Sequence, residues 1–146
     1  MEYYLREAAL ADMDSYYEWV NDAAVRRASF SSAPIDYAEH QAWFRQAVAS
    51  DKNRMFVLIG GGGKPLGQVR LTEINGAQFI SYSIDRRARG RGLGKTILKL
   101  AAKKLARGTL LVGEVRLENA ASIAVFSALG YRREDKGGRV IFRLIV

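Results

Sequence analysis

The chain has 146 residues, 23 basic against 15 acidic, a single histidine, two prolines and no cysteine, for a formal charge of +8. Its length is one domain's worth of chain, and 49% hydrophobic with 26% charged residues excludes disorder, collagen and coiled coil. Without cysteine there are no disulfides, thiolate metal sites or thiol nucleophiles, and His40 alone cannot build a multi-histidine cage, so no metal is expected.

In chain order, Tyr3-Tyr4-Leu5-Arg6 reads as a short strand. Asp12 then stands as the N-cap of a helix with Tyr16, Trp19 and Val20 on one face. A second helix starts at Asp36, with Glu39 three residues on as in a capping box, and carries Trp43, Phe44 and Ala47 as its apolar stripe. From Phe56 to Ile59 the pattern changes to strand, and Gly60 to Gly63 is a turn. Leu66 to Thr72 and Phe79 to Ile84 are strands joined by the hairpin signal Asn75-Gly76. After a basic, glycine-rich segment comes a helix from Leu93 to Arg107, with Leu93, Ile97, Leu100, Ala101 and Leu105 inward and Gly108 closing it. Leu110 to Val115 is a strand, Asn119 caps a helix through Leu129, Gly130 ends it, and two final strands turn on Gly137-Gly138. This order is a mixed α/β domain spanning residues 1–146, its fourth and fifth strands joined through a helix and therefore parallel. The very apolar Val140 to Val146 is either an inner strand or an edge that pairs with a second subunit, which leaves a homodimer open.

The sequence pI of about 10.0 gives a surface that attracts anions. No apolar run reaches the roughly 20 residues of a membrane helix. The opening MEYYLREAAL is not basic-then-apolar, so a cytoplasmic protein without a membrane partner is expected.

The segment Ile84 to Thr96 carries the chemistry. Gly90, Gly92 and Gly94 alternate with arginines at the start of a helix, where exposed main-chain N–H groups make a concave site for phosphate or pyrophosphate. Three loop types compete. A P-loop needs a glycine at position 89, which is Arg89. A dinucleotide fingerprint needs G-x-G-x-x-G, but the spacing here is Gly90-x-Gly92-x-Gly94. An RNA-binding arginine–glycine tract would not lead into an amphipathic helix at Leu93, and Arg86 to Lys95 holds no aromatic residue on which bases could stack, so no nucleic acid is expected.

Arg89-Gly90-Arg91-Gly92-Leu93-Gly94 resembles the acetyl-CoA loop, (Arg/Gln)-x-x-Gly-x-(Gly/Ala), of the GNAT superfamily of N-acetyltransferases. Downstream, Asn119-x-x-Ser122-x-x-x-Phe126-x-x-x-Gly130-Tyr131 is similar to a second motif of that family. The resemblance implies a mostly antiparallel central sheet of about seven strands with strands four and five splayed, about four helices, and acetyl-CoA as cofactor. It implies that main-chain groups near Ser83 and Ile84 pair with the pantetheine amides, as in strand addition. Amides of Arg89, Gly90, Arg91, Gly92, Leu93, Gly94, Lys95 and Thr96 would hold the pyrophosphate, with Asn119, Ser122 and Phe126 along the other side. Acetyl would pass directly from sulfur to an amine. Glu114 looks like the general base of the ribosomal-protein acetyltransferases, but Phe126 stands where those enzymes carry their acidic tyrosine. Tyr131, Tyr82 or a water would then act as the acid.

For the acceptor, Trp19-x-Asn21-Asp22, Arg26, His40, Trp43 and Arg70 are similar to the aminosugar N-acetyltransferases of the pseudaminic acid pathway, which act on a UDP-linked 4-amino-sugar. That likeness implies a substrate site of Trp19, Asn21, Arg26, His40, Arg70 and Tyr82, with Arg26, Arg70 and His40 meeting the diphosphate. Trp19-x-Asn21-Asp22 also looks like the ribosomal-protein serine and alanine acetyltransferases, which implies a protein α-amine instead. A third reading is a catalytically weak acetyl-CoA-binding or nucleic-acid-binding module. Set beside these, Trp19, Trp43 and Phe44 also read as core residues, and Lys99, Lys103, Lys104 and Arg107 as the wet face of a helix.

Overall fold

The computed structural model describes residues 2–146. Its strands are β1 (Tyr4–Glu7), β2 (Asn53–Ile59), β3 (Pro65–Ile74), β4 (Ala77–Ile84), β5 (Leu110–Arg116), β6 (Arg132–Lys136) and β7 (Arg139–Ile145). Its helices are α1 (Met13–Val20), α2 (Ala23–Ala28), α3 (Tyr37–Ala49), α4 (Leu93–Ala102) and α5 (Ala120–Ala128). The strands form one sheet in the order β1-β2-β3-β4-β5-β7-β6, antiparallel throughout except between β4 and β5.

Alternation along β2 divides the core. Phe56 and Leu58 point to the larger cluster, with Leu93, Ile97, Leu98 and Ala101 of α4 and Phe126 of α5. Met55, Val57 and Ile59 point to the opposite face, against Tyr16 and Trp19 of α1 and Phe44 and Ala47 of α3. The β3–β4 hairpin turns on Asn75 and Gly76, both at positive φ (51° and 81°), as a two-residue turn of the right twist requires.

The feature that shapes the site is the parallel pair. β4 and β5 are in register only at Gln78↔Leu111 and Phe79↔Val112. Beyond that point Ser83 and Ile84 stay paired to Gln68 and Gly67 of β3, while β5 follows β7 to its end. The sheet is open between them.

Four expectations change. The helix at Leu93 ends at Ala102 rather than at Arg107, because Lys104 and Leu105 tighten onto carbonyls three residues back. Gly108, at φ 93°, then turns the chain toward β5, its N–H meeting the carbonyl of Val146 at 2.6 Å. A fifth helix, α2, lies between the two expected early ones, started by Asp22, whose carboxylate accepts from Ala24 and Val25 N–H at 3.1 and 3.3 Å. Asp12 stands at the N-cap position of α1 as read, but its side chain does not cap that helix: it accepts the Ala9 N–H at 2.8 Å, closing a 3₁₀ turn, and pairs with Arg6. Finally, β7 is an inner strand. The outer strand is β6, Arg-Arg-Glu-Asp-Lys and exposed throughout, which leaves no apolar edge there for a second subunit. Asp36 caps α3 as read from the sequence, accepting from Ala38 and Glu39 N–H.

Candidate active site

The opening between β4 and β5 is a cavity of about 470 Å³. One wall is Tyr82, Ser83 and Ile84; another is Asn119 with Ser122 and Val125 of α5; α2 and its C-cap cover it with Ala24, Val25, Ala28 and Ser29. Its end is the glycine turn, with Arg89, Gly90, Gly92, Leu93 and Gly94. Gly90 and Gly92 adopt φ of 81° and 73°, a left-handed conformation in which any side chain is strained. The amides of Leu93, Gly94 and Lys95 belong to the first turn of α4 and have no helical carbonyl behind them. They carry the positive end of the helix dipole, and among the described residues no carboxylate lines the cavity. At Gly94 an added Cβ would lie 3.2 Å from Val125 and 3.6 Å from Tyr82, so the missing side chain lets α4 and α5 close on the turn. The chemistry fits a diphosphate at one end and an extended, amide-bearing chain beside the free edge of β4.

The other loop residues differ in their ties. Arg89 Nη2 meets Asp22 at 2.9 Å, joining the glycine turn to the N-terminus of α2. Arg91 and Lys95 are exposed. Thr96 donates its hydroxyl to the Gly92 carbonyl at 3.3 Å. Asn119 caps α5 by accepting the Ser122 N–H at 3.2 Å, and Ser122 Oγ lies 3.0 Å from Tyr82 Oη.

A second cavity, about 400 Å³, adjoins the first through Val25, Ser29, Tyr82 and Ser83. Arg26, Glu39, His40, Trp43, Gln68 and Arg70 line it. The Arg70 guanidinium lies 5.0 Å from the centre of the Trp43 ring, and burial lowers its pKa. Among the described residues no carboxylate forms an ion pair with it. Arg26 braces the loop that follows α2, donating to the carbonyls of Ser31 and Ala33 and to Ser29 Oγ. His40 is buried, and its Nε2 lies 2.8 Å from the Met13 carbonyl. A carbonyl only accepts, so the proton sits on Nε2. Gln68 donates to Ser83 Oγ at 2.9 Å and holds the shared wall.

A third, smaller cavity of about 170 Å³ holds Phe30, Ser81, Glu114, Arg116 and Phe126, and again Tyr82 and Ser122. Glu114 Oε2 is 3.1 Å from Arg139 Nη1. Arg116 donates to the carbonyls of Arg27 and Ser29, pinning the chain after α2 across β5. Tyr82 therefore borders all three spaces. Burial raises its pKa, so its phenol is neutral at ordinary pH.

Three expected site residues stand elsewhere. Trp19 is core, its indole N–H donating to Asp85 at 2.9 Å. Asn21 clamps the backbone of Ile35, donating to its carbonyl at 2.9 Å and accepting its N–H at 2.7 Å. Tyr131 lies edge-on to Phe126, 4.9 Å between ring centres, with its hydroxyl buried and unpartnered, and it lines none of the three cavities. Burial pushes its pKa up to about 12. Phe126 itself is core, lying against Gly113 and stacked on Phe142, and only its edge reaches the smallest cavity. In the other direction, sequence reading missed α2 as a wall and Asp85 as a buried acid. The local pattern shows only an acid among arginines, which reads as solvated charge.

An open parallel strand pair, a glycine turn at a helix N-terminus and an adjoining basic cavity define an acyl-transfer site of the GNAT type. The chain belongs to the acetyltransferase (GNAT) domain family, whose model matches residues 3–132, and it is an acetyl-CoA-dependent N-acetyltransferase. It is 29% identical over 136 aligned positions to the L-methionine sulfoximine/L-methionine sulfone acetyltransferase of Pseudomonas paraeruginosa (strain DSM 24068 / PA7), covering 87% of this chain and 78% of that one. The counterpart from Pseudomonas aeruginosa is equally similar. Among solved structures the fold is shared with a domain from Methanocaldococcus jannaschii DSM 2661 (TM-score 0.87, 17% identity, 99% of both chains). It is also shared with a phosphinothricin acetyltransferase from Sinorhizobium meliloti in complex with AcCoA (TM-score 0.81, 21% identity, 100% of this chain and 89% of that one). These relatives are named as acetyltransferases of L-methionine sulfoximine and L-methionine sulfone, where the N-terminal half was expected to match aminosugar enzymes. No helix among the described residues is long and apolar enough to cross a membrane.

Proposed function

We propose that the chain acetylates the primary amine of a small, anionic, amino-acid-like acceptor bound in the cavity of Arg70. The carrying observation is Arg70 itself: a half-buried guanidinium in an open cavity, lying over Trp43 and, among the described residues, in no ion pair with a carboxylate. Burying a charge is costly unless it is paired, so a ligand anion is the natural complement, and a carboxylate or phosphate meets guanidinium in two parallel hydrogen bonds. The names of the Pseudomonas relatives supply the choice of an amino-acid-like molecule.

Acetyl-CoA supplies the acetyl group as a thioester. The amides of residues 90–95 hold its diphosphate, the open edge of β4 at Ser83 and Ile84 holds its pantetheine arm, and Asn119 and Ser122 line the other side. Glu114 takes the proton that the acceptor amine loses as its nitrogen bonds to the acetyl carbon, with Arg139 holding the other carboxylate oxygen. Tyr82 Oη, a neutral phenol where the three cavities meet, gives its proton to the thiolate set free as the carbon–sulfur bond breaks. A UDP-linked 4-amino-sugar is the second reading, favoured by Arg26 and His40 beside Arg70 and by the half-open Trp43 ring at the rim, where a base could rest.

Release of free thiol from acetyl-CoA is measured with L-methionine sulfone and related amino acids, with a UDP-4-amino-4,6-dideoxy-sugar, and with peptides bearing free N-termini. Turnover of amino acids, lost on removal of their carboxylate, is the expected result. Faster turnover of the nucleotide-sugar installs the second reading, and a preference for peptides sinks both.

A further inference from the structure

Asp85 is a buried carboxylate at the point where β4 ends and the glycine turn begins, and nothing in the transfer reaction uses it. Four donors converge on it. Oδ1 accepts from the main-chain N–H and the Nε–H of Arg87, both at 2.9 Å. Oδ2 accepts from the Trp19 indole and from Arg87 Nη2, also at 2.9 Å. Its own N–H reaches the Leu66 carbonyl on β3 at 2.8 Å, and its carbonyl accepts from Ala88. One residue thus ties together β3, β4, helix α1 and the segment that enters the turn.

We infer that Asp85 is the positioning residue of the diphosphate cradle, setting through Trp19 and Arg87 the direction in which the chain leaves β4. This rests on the reading of residues 90–95 as that cradle. Two considerations carry it. The glycines of the turn have no side chains with which to hold their own conformation, so a site that must present several amides at once needs rigid support outside itself. And an ion pair whose guanidinium is largely exposed adds little net stability, so stability alone is a poor account of a buried carboxylate in this position. Neither Trp19 nor Asp85 nor Arg87 lines the cavity itself. The action is therefore on the loop and not on the ligand.

The experiment compares two acetyl donors: acetyl-CoA, and the short thioester S-acetyl-N-acetylcysteamine, which has no diphosphate. Arg87→Gln changes a largely exposed side chain, Trp19→Phe removes one N–H, and Asp85→Asn removes the charge; thermal unfolding checks that each is folded. In Arg87→Gln and Trp19→Phe we expect KM for acetyl-CoA to rise on the order of tenfold, as lost hydrogen bonds to a charged group imply. The kcat and the slow turnover of the short thioester should stay as in the wild type, with Asp85→Asn more severe in the same sense. Equal losses with both donors would reduce Asp85 to a structural residue, and an unchanged KM in both mild variants would remove the inference. If instead the wild type uses the two donors with equal kcat/KM, the cradle reading itself fails, a result distinct from either.

Discussion

Tyr82 and Tyr131 carry the same phenol in opposite circumstances. Tyr82 Oη has Ser122 Oγ at 3.0 Å and borders every cavity of the site, whereas the Tyr131 hydroxyl is sealed in the core without a partner. A positioned acid contributes about 10²–10⁴-fold, so Tyr82→Phe should lower kcat by at least about 10²-fold with little change in KM for acetyl-CoA. Tyr131→Phe removes a buried group that satisfies nothing. Its kcat should stay at the wild-type value, and its stability, read by denaturant unfolding, should be unchanged or up to about 1 kcal/mol higher. Sequence order drew attention to Tyr131 because it is the last residue of the second motif, but position along the chain says nothing about which way a side chain faces at the end of a helix. Arg70 is the opposite case, legible as a basic residue on an apolar strand and then placed by the fold over Trp43. Arg70→Met keeps an unbranched apolar stem and loses the charge. It should raise KM for the acceptor about tenfold or more while leaving KM for acetyl-CoA as it was, measured in one bisubstrate titration.

At the level of elements, the site exists because β4 and β5 part after two register positions. Gly113 on β5 shows how tightly the remaining closure is built: a Cβ there would come 2.4 Å from Phe126 Cζ, and Phe126 is itself stacked on Phe142 at 5.1 Å between ring centres. Gly113→Ala should therefore cost about 1–3 kcal/mol by overpacking, visible as a lower denaturant midpoint with unchanged slope. The long, strongly patterned elements were readable, since alternation and helical periodicity are local properties. Helix α2 was not: six residues, Ala-Ala-Val-Arg-Arg-Ala, have too little length to show a period, and the packing they depend on comes from elsewhere. The end of α4 was misread for a related reason. Its apolar spacing continues to Leu105, which still packs on the core after the helical bonds have given way to a tighter turn.

Across the whole molecule, charge sets two solution properties. With a net +8 and an amide cradle for anions, KM for acetyl-CoA should rise with added salt as the Debye length shrinks from about 10 Å at 0.1 M to 3 Å at 1 M. In addition, the Arg87 guanidinium holds the Asp85 carboxyl well below the usual carboxylate range. A group depressed in the folded state stabilises it above the unfolded value, about 3.9, and that contribution is lost as pH falls below it. Acid unfolding should accordingly be shallower below about pH 4 in Asp85→Asn than in the wild type, followed by circular dichroism. The glycine turn at the start of a helix, the succession of strands and the parallel fourth and fifth strands were contained in the residues as written, because glycine placement, caps and hydrophobic period act over a few positions. What converges from a distance was not. Trp19 meets Asp85 across 66 positions and Tyr82 meets Ser122 across 40, and which face each side chain presents follows from how the helices settle on the two sides of the sheet.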